Sequence, residues 1–209
     1  MAQRCSDRSA WRRRRDSTTE PPPRVDIQSH YFIIRRFISE NERAALLAQI
    51  LAHHSSGVLR PNPCGPARYF AKVDGEPDRF DCALLRALAR RAAHACRAEA
   101  VVTDRVLGRV LSLIETGGFI HPHTDAYHPQ HGQPTGCHHL RCNIVAQLSH
   151  PSARPVIEGE ASDVGDGDLW CFLASKWRHE TRPLVGDGAP RVVCGFGWTV
   201  GGDFEVRPG

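Results

Sequence analysis

His123 and Asp125 stand two positions apart in the stretch Ile120-His121-Pro122-His123-Thr124-Asp125-Ala126-Tyr127-His128. On a strand such positions share a face, so the imidazole and the carboxylate would lie a few ångströms apart and offer a two-point seat for a divalent metal. An ordinary His–Asp hydrogen bond would use the same spacing. Two residues further along add weight to the metal. His179 comes just after the apolar run Gly167-Asp168-Leu169-Trp170-Cys171-Phe172, and Arg191 heads the last apolar run of the chain. Two imidazoles and one carboxylate on one face leave three positions open around a six-coordinate ion. The planar guanidinium of an arginine beside them can hold a carboxylate through two parallel hydrogen bonds, although Arg191 could equally form a surface ion pair. His121 also lies two residues from His123, but a His121/His123 pair would leave Asp125 idle.

These side chains need elements to carry them. Ser39 with Glu42 reads as a capping box opening a helix, with Leu46, Leu47, Ile50 and Leu51 on its apolar face and a stop near Ser55-Ser56-Gly57. A second helix is predicted over about 81–99, with Leu84, Leu85, Leu88, Ala92 and Ala95 inward and its arginines in solvent. Tyr31-Phe32-Ile33-Ile34 is β-prone, whereas residues 60–78, rich in Pro and Gly, read as irregular. From residue 105 the texture changes to short runs of Val, Ile, Leu, Phe and Trp at 105–115, 118–124, 138–148, 154–158, 168–174, 179–185 and 191–200. Strands at that spacing, with no helical pattern between them, indicate an antiparallel sandwich or barrel. On the strand from His139, the positions Arg141, Asn143, Val145 and Gln147 share a face; turned inward, Arg141 and Asn143 would meet a bound carboxylate. Tyr127, His128 and His131 sit in the loop 126–136, which would face either a substrate or plain solvent. Trp170 and Trp198 read as core.

Taken together, His123-Thr124-Asp125, the distal His179 and Arg191 resemble the Fe(II)/2-oxoglutarate-dependent oxygenases, over about 105–200. Gly117-Gly118 ahead of the metal pair and the G-D-x-W-x-F segment ahead of His179 are similar to that pattern, and the leading strand and helix are similar to the prolyl-hydroxylase-like and AlkB-like branches. The run His139-Leu140-Arg141-Cys142-Asn143-Ile144-Val145 resembles a strand of the aspartyl and free-proline hydroxylases. No subfamily is assigned: AlkB-type enzymes carry a further arginine where this chain has Gly197. The resemblance implies that His123, Asp125 and His179 ligate Fe(II), that Arg191 binds the far carboxylate of 2-oxoglutarate, that Arg141 and Asn143 assist in cosubstrate binding, and that O2 is the oxidant. It implies an α+β, mainly β fold, a double-stranded β-helix (jelly roll, cupin-like) core with N-terminal helices packed on it. The activity implied is hydroxylation of an unactivated C–H bond in a small polar molecule or an amino-acid or peptide side chain, with 2-oxoglutarate decarboxylated to succinate. Because Asp125 fills the position a halide would take, halogenation is not expected.

Length and charge set the frame. The chain has 209 residues, 41% hydrophobic and 24% charged, which suits a single domain over 25–209, with a helical part over 25–104 and a β core over 105–200. Its formal net charge of +4 lies wholly in residues 1–24, which hold seven arginines against three acids; the remainder balances at 20 against 20. Residues 1–24 therefore read as a disordered Arg/Pro-rich tail, through which nucleic acid could be held. A neutral catalytic region argues against the rival in the same class, an AlkB-like demethylase of nucleic acid. The rival outside it is a non-catalytic cupin-like metal-binding protein, which would have no use for Arg191. The 8 cysteines form no C-x-x-C pair, and no apolar run reaches the length of a membrane span, so a cytoplasmic protein with free thiols and no membrane partner is expected.

Overall fold

The computed structural model describes residues 23–72, 82–99, 101–104, 107–125, 134–186 and 188–209. The proposed tail therefore lies almost wholly outside the described residues. Within them the chain is mainly β: antiparallel sheets with two α-helices.

The leading strands are β1 (Val25–Ile27) and β2 (Tyr31–Ile34), followed by helix α1 (Glu40–Ser55), β3 (Arg60–Pro61), β4 (Arg68–Lys72), helix α2 (Ala83–Ala95) and β5 (Val102–Thr103). The rest is β6 (Arg109–Ile114), β7 (Ile120–His123), β8 (Cys137–Gln147), β9 (Pro155–Ile157), β10 (Glu160–Ala161), β11 (Leu169–Leu173), β12 (His179–Thr181) and β13 (Arg191–Gly201). A nine-stranded sheet runs β1-β2-β11-β8-β13-β6-β4-β3, with β5 on β13, and a four-stranded sheet runs β10-β9-β12-β7. Each later run read as a strand contains one. Residues 60–78, read as irregular, contain β3 and β4, which extend the large sheet beyond β6. The flanking Pro and Gly obscure them because strand formation there is decided by the partner strand rather than by local preference.

Alternation along the strands makes the large sheet two-sided. Phe32, Ile34, Leu140, Cys142, Ile144, Leu169, Cys171, Cys194 and Phe196 form one core with Leu46 and Ile50 of α1 and Leu85, Leu88 and Ala92 of α2. The intervening residues Tyr31, Ile33, Val145, Trp170, Phe172 and Val193 pack on the other face, against Ile157 of the small sheet. Helices thus cover one face and the small sheet the other, as a period of two requires. Cys96, Cys142 and Cys171 meet on the helix side with sulfurs 3.0 and 3.2 Å apart, and all described cysteines are free thiols. No helix among the described residues is long and apolar enough to cross a membrane.

Two local features carry the chain into the site. Ser39 caps α1, its side chain accepting from the Glu42 amide while Glu42 reaches back to the Ser39 amide, as the capping box predicts. Gly117 and Gly118 turn the chain from β6 in the large sheet to β7 in the small one. Gly117 has φ +80, and a Cβ on Gly118 would stand 2.9 Å from the Ala67 carbonyl oxygen, so neither position suits a side chain. In the Gly-Asp-x-Trp-x-Phe segment, buried Asp168 accepts from the amides of Arg36 and Gly165 and from the Arg35 guanidinium, fastening β2 to the start of β11.

Candidate metal centre

β7 ends on His123 and β12 begins on His179, and the two are direct partners across the antiparallel ladder, with ring centroids 4.3 Å apart. Each ring is fixed by the same device. Nδ1 of His123 lies 2.7 Å from the His121 carbonyl oxygen, and Nδ1 of His179 lies 3.0 Å from that of Trp177. A carbonyl can only accept, so each Nδ1 carries the proton and each Nε2 keeps its lone pair. Both lone pairs meet Asp125, whose Oδ1 is 3.5 Å from Nε2 of His123 and 3.7 Å from Nε2 of His179. The amide of Asp125 is itself tied to the Ala174 carbonyl just beyond β11, at 2.8 Å. One donor atom from each of the three residues lies within 4.8 Å of the other two, a spacing that suits a single divalent ion.

The other carboxylate oxygen is held from the large sheet. Asp125 Oδ2 accepts from Arg141 Nη2 at 2.8 Å and from His139 Nδ1 at 2.9 Å. Burial of Asp125 favours its neutral form, but the charge of Arg141 and the hydrogen bond from His139 hold the carboxyl well below its ordinary range, so it is a ready anionic ligand. Burial likewise pushes His179 down to about 4, against the pull of Asp125, and leaves it neutral at pH 7. His139 was not singled out from the sequence. It stands two residues before Arg141 on the same face of β8, and that alternation was the available signal.

The cavity that holds the triad is also lined by Arg141, Asn143, Arg191, Arg68, Ser112 and Trp170. Arg191 is buried, its guanidinium 5.6 Å above the Trp170 ring, and its Nε has no hydrogen-bond partner among the described residues. It is thus no surface ion pair. Burial, reinforced by the charge of Arg68, pushes its pKa down to about 9, still cationic at neutral pH. Ser112 Oγ and Trp170 Nε1 are also buried without a partner there. Orphaned buried donors are rare in folded proteins, and several line this one cavity. Trp170, expected as core, thus also lines the cavity, with its buried Nε1 unpartnered among the described residues. Space for Arg141, Asn143 and His139 comes from β13, where a Cβ on Gly195 would stand 2.7 Å from Asn143 Oδ1 and one on Gly197 2.5 Å from His139 Nε2. His121 contributes its backbone carbonyl rather than its ring, as the idle-Asp125 argument requires. Tyr127, His128 and His131 lie outside the described residues.

No family model matches the sequence and no curated protein is significantly similar to it. Solved structures do match. A prolyl-4-hydroxylase from Pseudomonas putida is 18% identical, with 82% of this chain and 93% of that one covered and a TM-score of 0.56. The prolyl hydroxylase of Trichoplax adhaerens, solved with a hypoxia-inducible-factor peptide fragment, is 14% identical over 82% and 84%, also at 0.56. HygX from Streptomyces hygroscopicus, solved with nickel, 2-oxoglutarate and hygromycin B, is 14% identical over 85% and 84%, at 0.54. The chain shares the fold of these solved structures. In this fold His123 and His179 come from the small sheet, while Arg191, Ser112 and Trp170 and the support for Asp125 come from the large one.

Proposed function

We propose that this chain is an Fe(II)- and 2-oxoglutarate-dependent dioxygenase that hydroxylates an unactivated C–H bond of a small polar molecule or an amino-acid or peptide side chain. The core is then a double-stranded β-helix within a single domain over 25–209. The observation that carries this reading is one cavity containing both the His123/Asp125/His179 face and a buried arginine with no acidic partner among the described residues. A simple metal-binding module gives no reason to bury a cation beside the ion. The fold is one on which HygX binds nickel and 2-oxoglutarate together.

The residues fit the groups they would hold. His123, His179 and Asp125 would ligate iron, and Arg191, with Ser112 and Trp170 as further donors, would take the 5-carboxylate of 2-oxoglutarate. Asn143 would reach toward the metal end of the keto acid. Iron with 2-oxoglutarate and O2 supplies an oxidant strong enough for an unactivated C–H bond, leaving succinate and CO2. The chain's own part is orientation: the backbone carbonyls of His121 and Trp177 fix the rings, and Arg141 with His139 keeps Asp125 anionic and aimed.

An anaerobic mixture of the protein with Fe(II) and 2-oxoglutarate is expected to develop the weak visible band of a bidentate keto acid, and air should then produce succinate even without substrate. Asp125→Ala should lose the band with the metal. Arg191→Met should keep the metal and weaken 2-oxoglutarate by about tenfold or more, the scale of one lost charged hydrogen bond. No band and no succinate from the wild-type protein would falsify the oxygenase reading.

A further inference from the structure

Three guanidinium groups face the cavity, and only two have a task. Arg141 is paired with Asp125, and Arg191 awaits the cosubstrate. Arg68, on β4, is the third. It and Arg191 are both register partners of Ile114, from opposite sides of β6, and opposed residues of an antiparallel ladder share a face. Arg68 donates through Nη1 to Asn62 Oδ1 at 3.2 Å, lies 5.7 Å over the Phe70 ring and has the Cys64 thiol beside it. Its Nε is buried and has no hydrogen-bond partner among the described residues, and the carboxylate whose charge acts on it, Asp125, is already paired with Arg141. Burial pushes its pKa down, and the charge of Arg141 adds to that. Arg68 is half-buried with its Nε out of solvent, and a guanidinium is costly to hold in this way unless an anion joins it.

The charge of the loaded site, on the oxygenase reading above, gives the same answer. A divalent ion and a dianionic cosubstrate cancel. Among the lining side chains, three guanidiniums stand against the two carboxylates of Asp125 and Glu180. One positive charge is left, and neither metal nor cosubstrate neutralises it. We infer that Arg68 anchors a carboxylate carried by the substrate, so that the substrate class is a small carboxylic acid or a chain end bearing one free carboxylate. The planar guanidinium, oriented by Asn62, offers the paired donors a carboxylate accepts. A single residual charge suits a monocarboxylate rather than a phosphate dianion. Anchored at β4, such a substrate would extend toward the open side of His123, Asp125 and His179.

The test uses full-length protein loaded with Ni(II) and 2-oxoglutarate, which binds both without turnover. Matched probes are screened by ligand-observed NMR and titrated by calorimetry: L-amino acids against their primary amides, and acetylated dipeptides with free against amidated C-termini. Binding is expected from acid members only, and which set binds separates a free acid from a chain end. Arg68→Met should lower the affinity of the binding acid by about tenfold or more while changing that of 2-oxoglutarate less than about twofold. Arg68→Lys, which keeps the charge, should fall between, and it decides the matter if the methionine variant does not fold. Amides binding as well as acids, no acid binding at millimolar concentration, or Arg68→Met weakening 2-oxoglutarate as Arg191→Met does would each overturn the assignment. Failure of the oxygenase reading appears separately, as wild-type protein that takes up neither Ni(II) nor 2-oxoglutarate. The acid–amide comparison on metal-free protein then still decides the role of Arg68.

Discussion

Each oxygen of the Asp125 carboxylate has its own donors: Oδ2 is saturated by Arg141 and His139, and Oδ1 faces two imidazole lone pairs. That division leaves one oxygen and two nitrogens for a metal and makes the metal-free site sensitive to acid. His179 sits near 4 in the fold, against an ordinary 6.5, because burial penalises its charged form. Between those values the unfolded chain binds a proton that the folded chain does not, so folding stability falls as pH drops from about 6.5 to 4 and levels off below. The shift corresponds to on the order of 3 kcal/mol. His139 is depressed for the same reason and acts in the same direction. Asp125, also held below its ordinary value, keeps its full contribution across this window and loses it only at lower pH. Urea unfolding of metal-free protein from pH 7.5 to 4 should show the decline, and His179→Leu should flatten it. A flat wild-type profile would mean that His179 is charged in the fold.

At the scale of elements, β13 makes the site possible by what it omits. Gly197 lies across from Arg141 in the ladder, and a Cβ there would come within 2.5 Å of both His139 Nε2 and the Leu107 carbonyl oxygen. One neighbour is backbone and the other is tied to Asp125, so neither can yield cheaply. Gly197→Ala is expected to cost about 1–3 kcal/mol, the scale of overpacking a filled core, and to weaken Ni(II) binding by displacing His139 from Asp125. Gly159→Ala is the control. Gly159 has φ +86 in the turn between β9 and β10, with nothing within 4 Å of its absent Cβ, so alanine there should cost stability through backbone strain and leave metal binding intact. Denaturant unfolding and metal titration of the two variants distinguish the roles. The same strand shows what the sequence reveals and what it hides. Period-two alternation exposed β8, β11 and β13, and spacing exposed His123, Asp125, His179 and Arg191, because those signals are local. His139 had a local signal in its alternation with Arg141, but Arg68 was not legible as a site residue, since its position follows from the pairing of β4 with β6. Such pairings join distant segments, and no local pattern encodes them.

Across the whole molecule, the excess charge and the candidate metal centre are separated along the chain. Residues 1–22 hold six arginines against three acids, whereas the domain beyond residue 24 balances its charges. Arg24 belongs with the domain, because its carbonyl accepts from the Arg35 amide and its side chain pairs with Asp26. The large sheet is closed on one face by α1 and α2 and on the other by the small sheet, and the described core residues all lie beyond residue 30. Deleting residues 1–22 should therefore leave thermal stability and the binding of Ni(II) and 2-oxoglutarate unchanged. Any affinity for duplex DNA should disappear with them. With all six arginines engaged, log K for the full-length chain would fall with log salt at a slope of about −5, and retention would be weak at physiological salt. A gel-shift series in rising salt with both forms reads this directly. Loss of the shift on truncation assigns nucleic-acid contact to electrostatics of the N-terminal segment. A shift that survives truncation and resists salt would instead place recognition on the neutral domain and favour a nucleic-acid substrate over the carboxylic acid that Arg68 is inferred to hold.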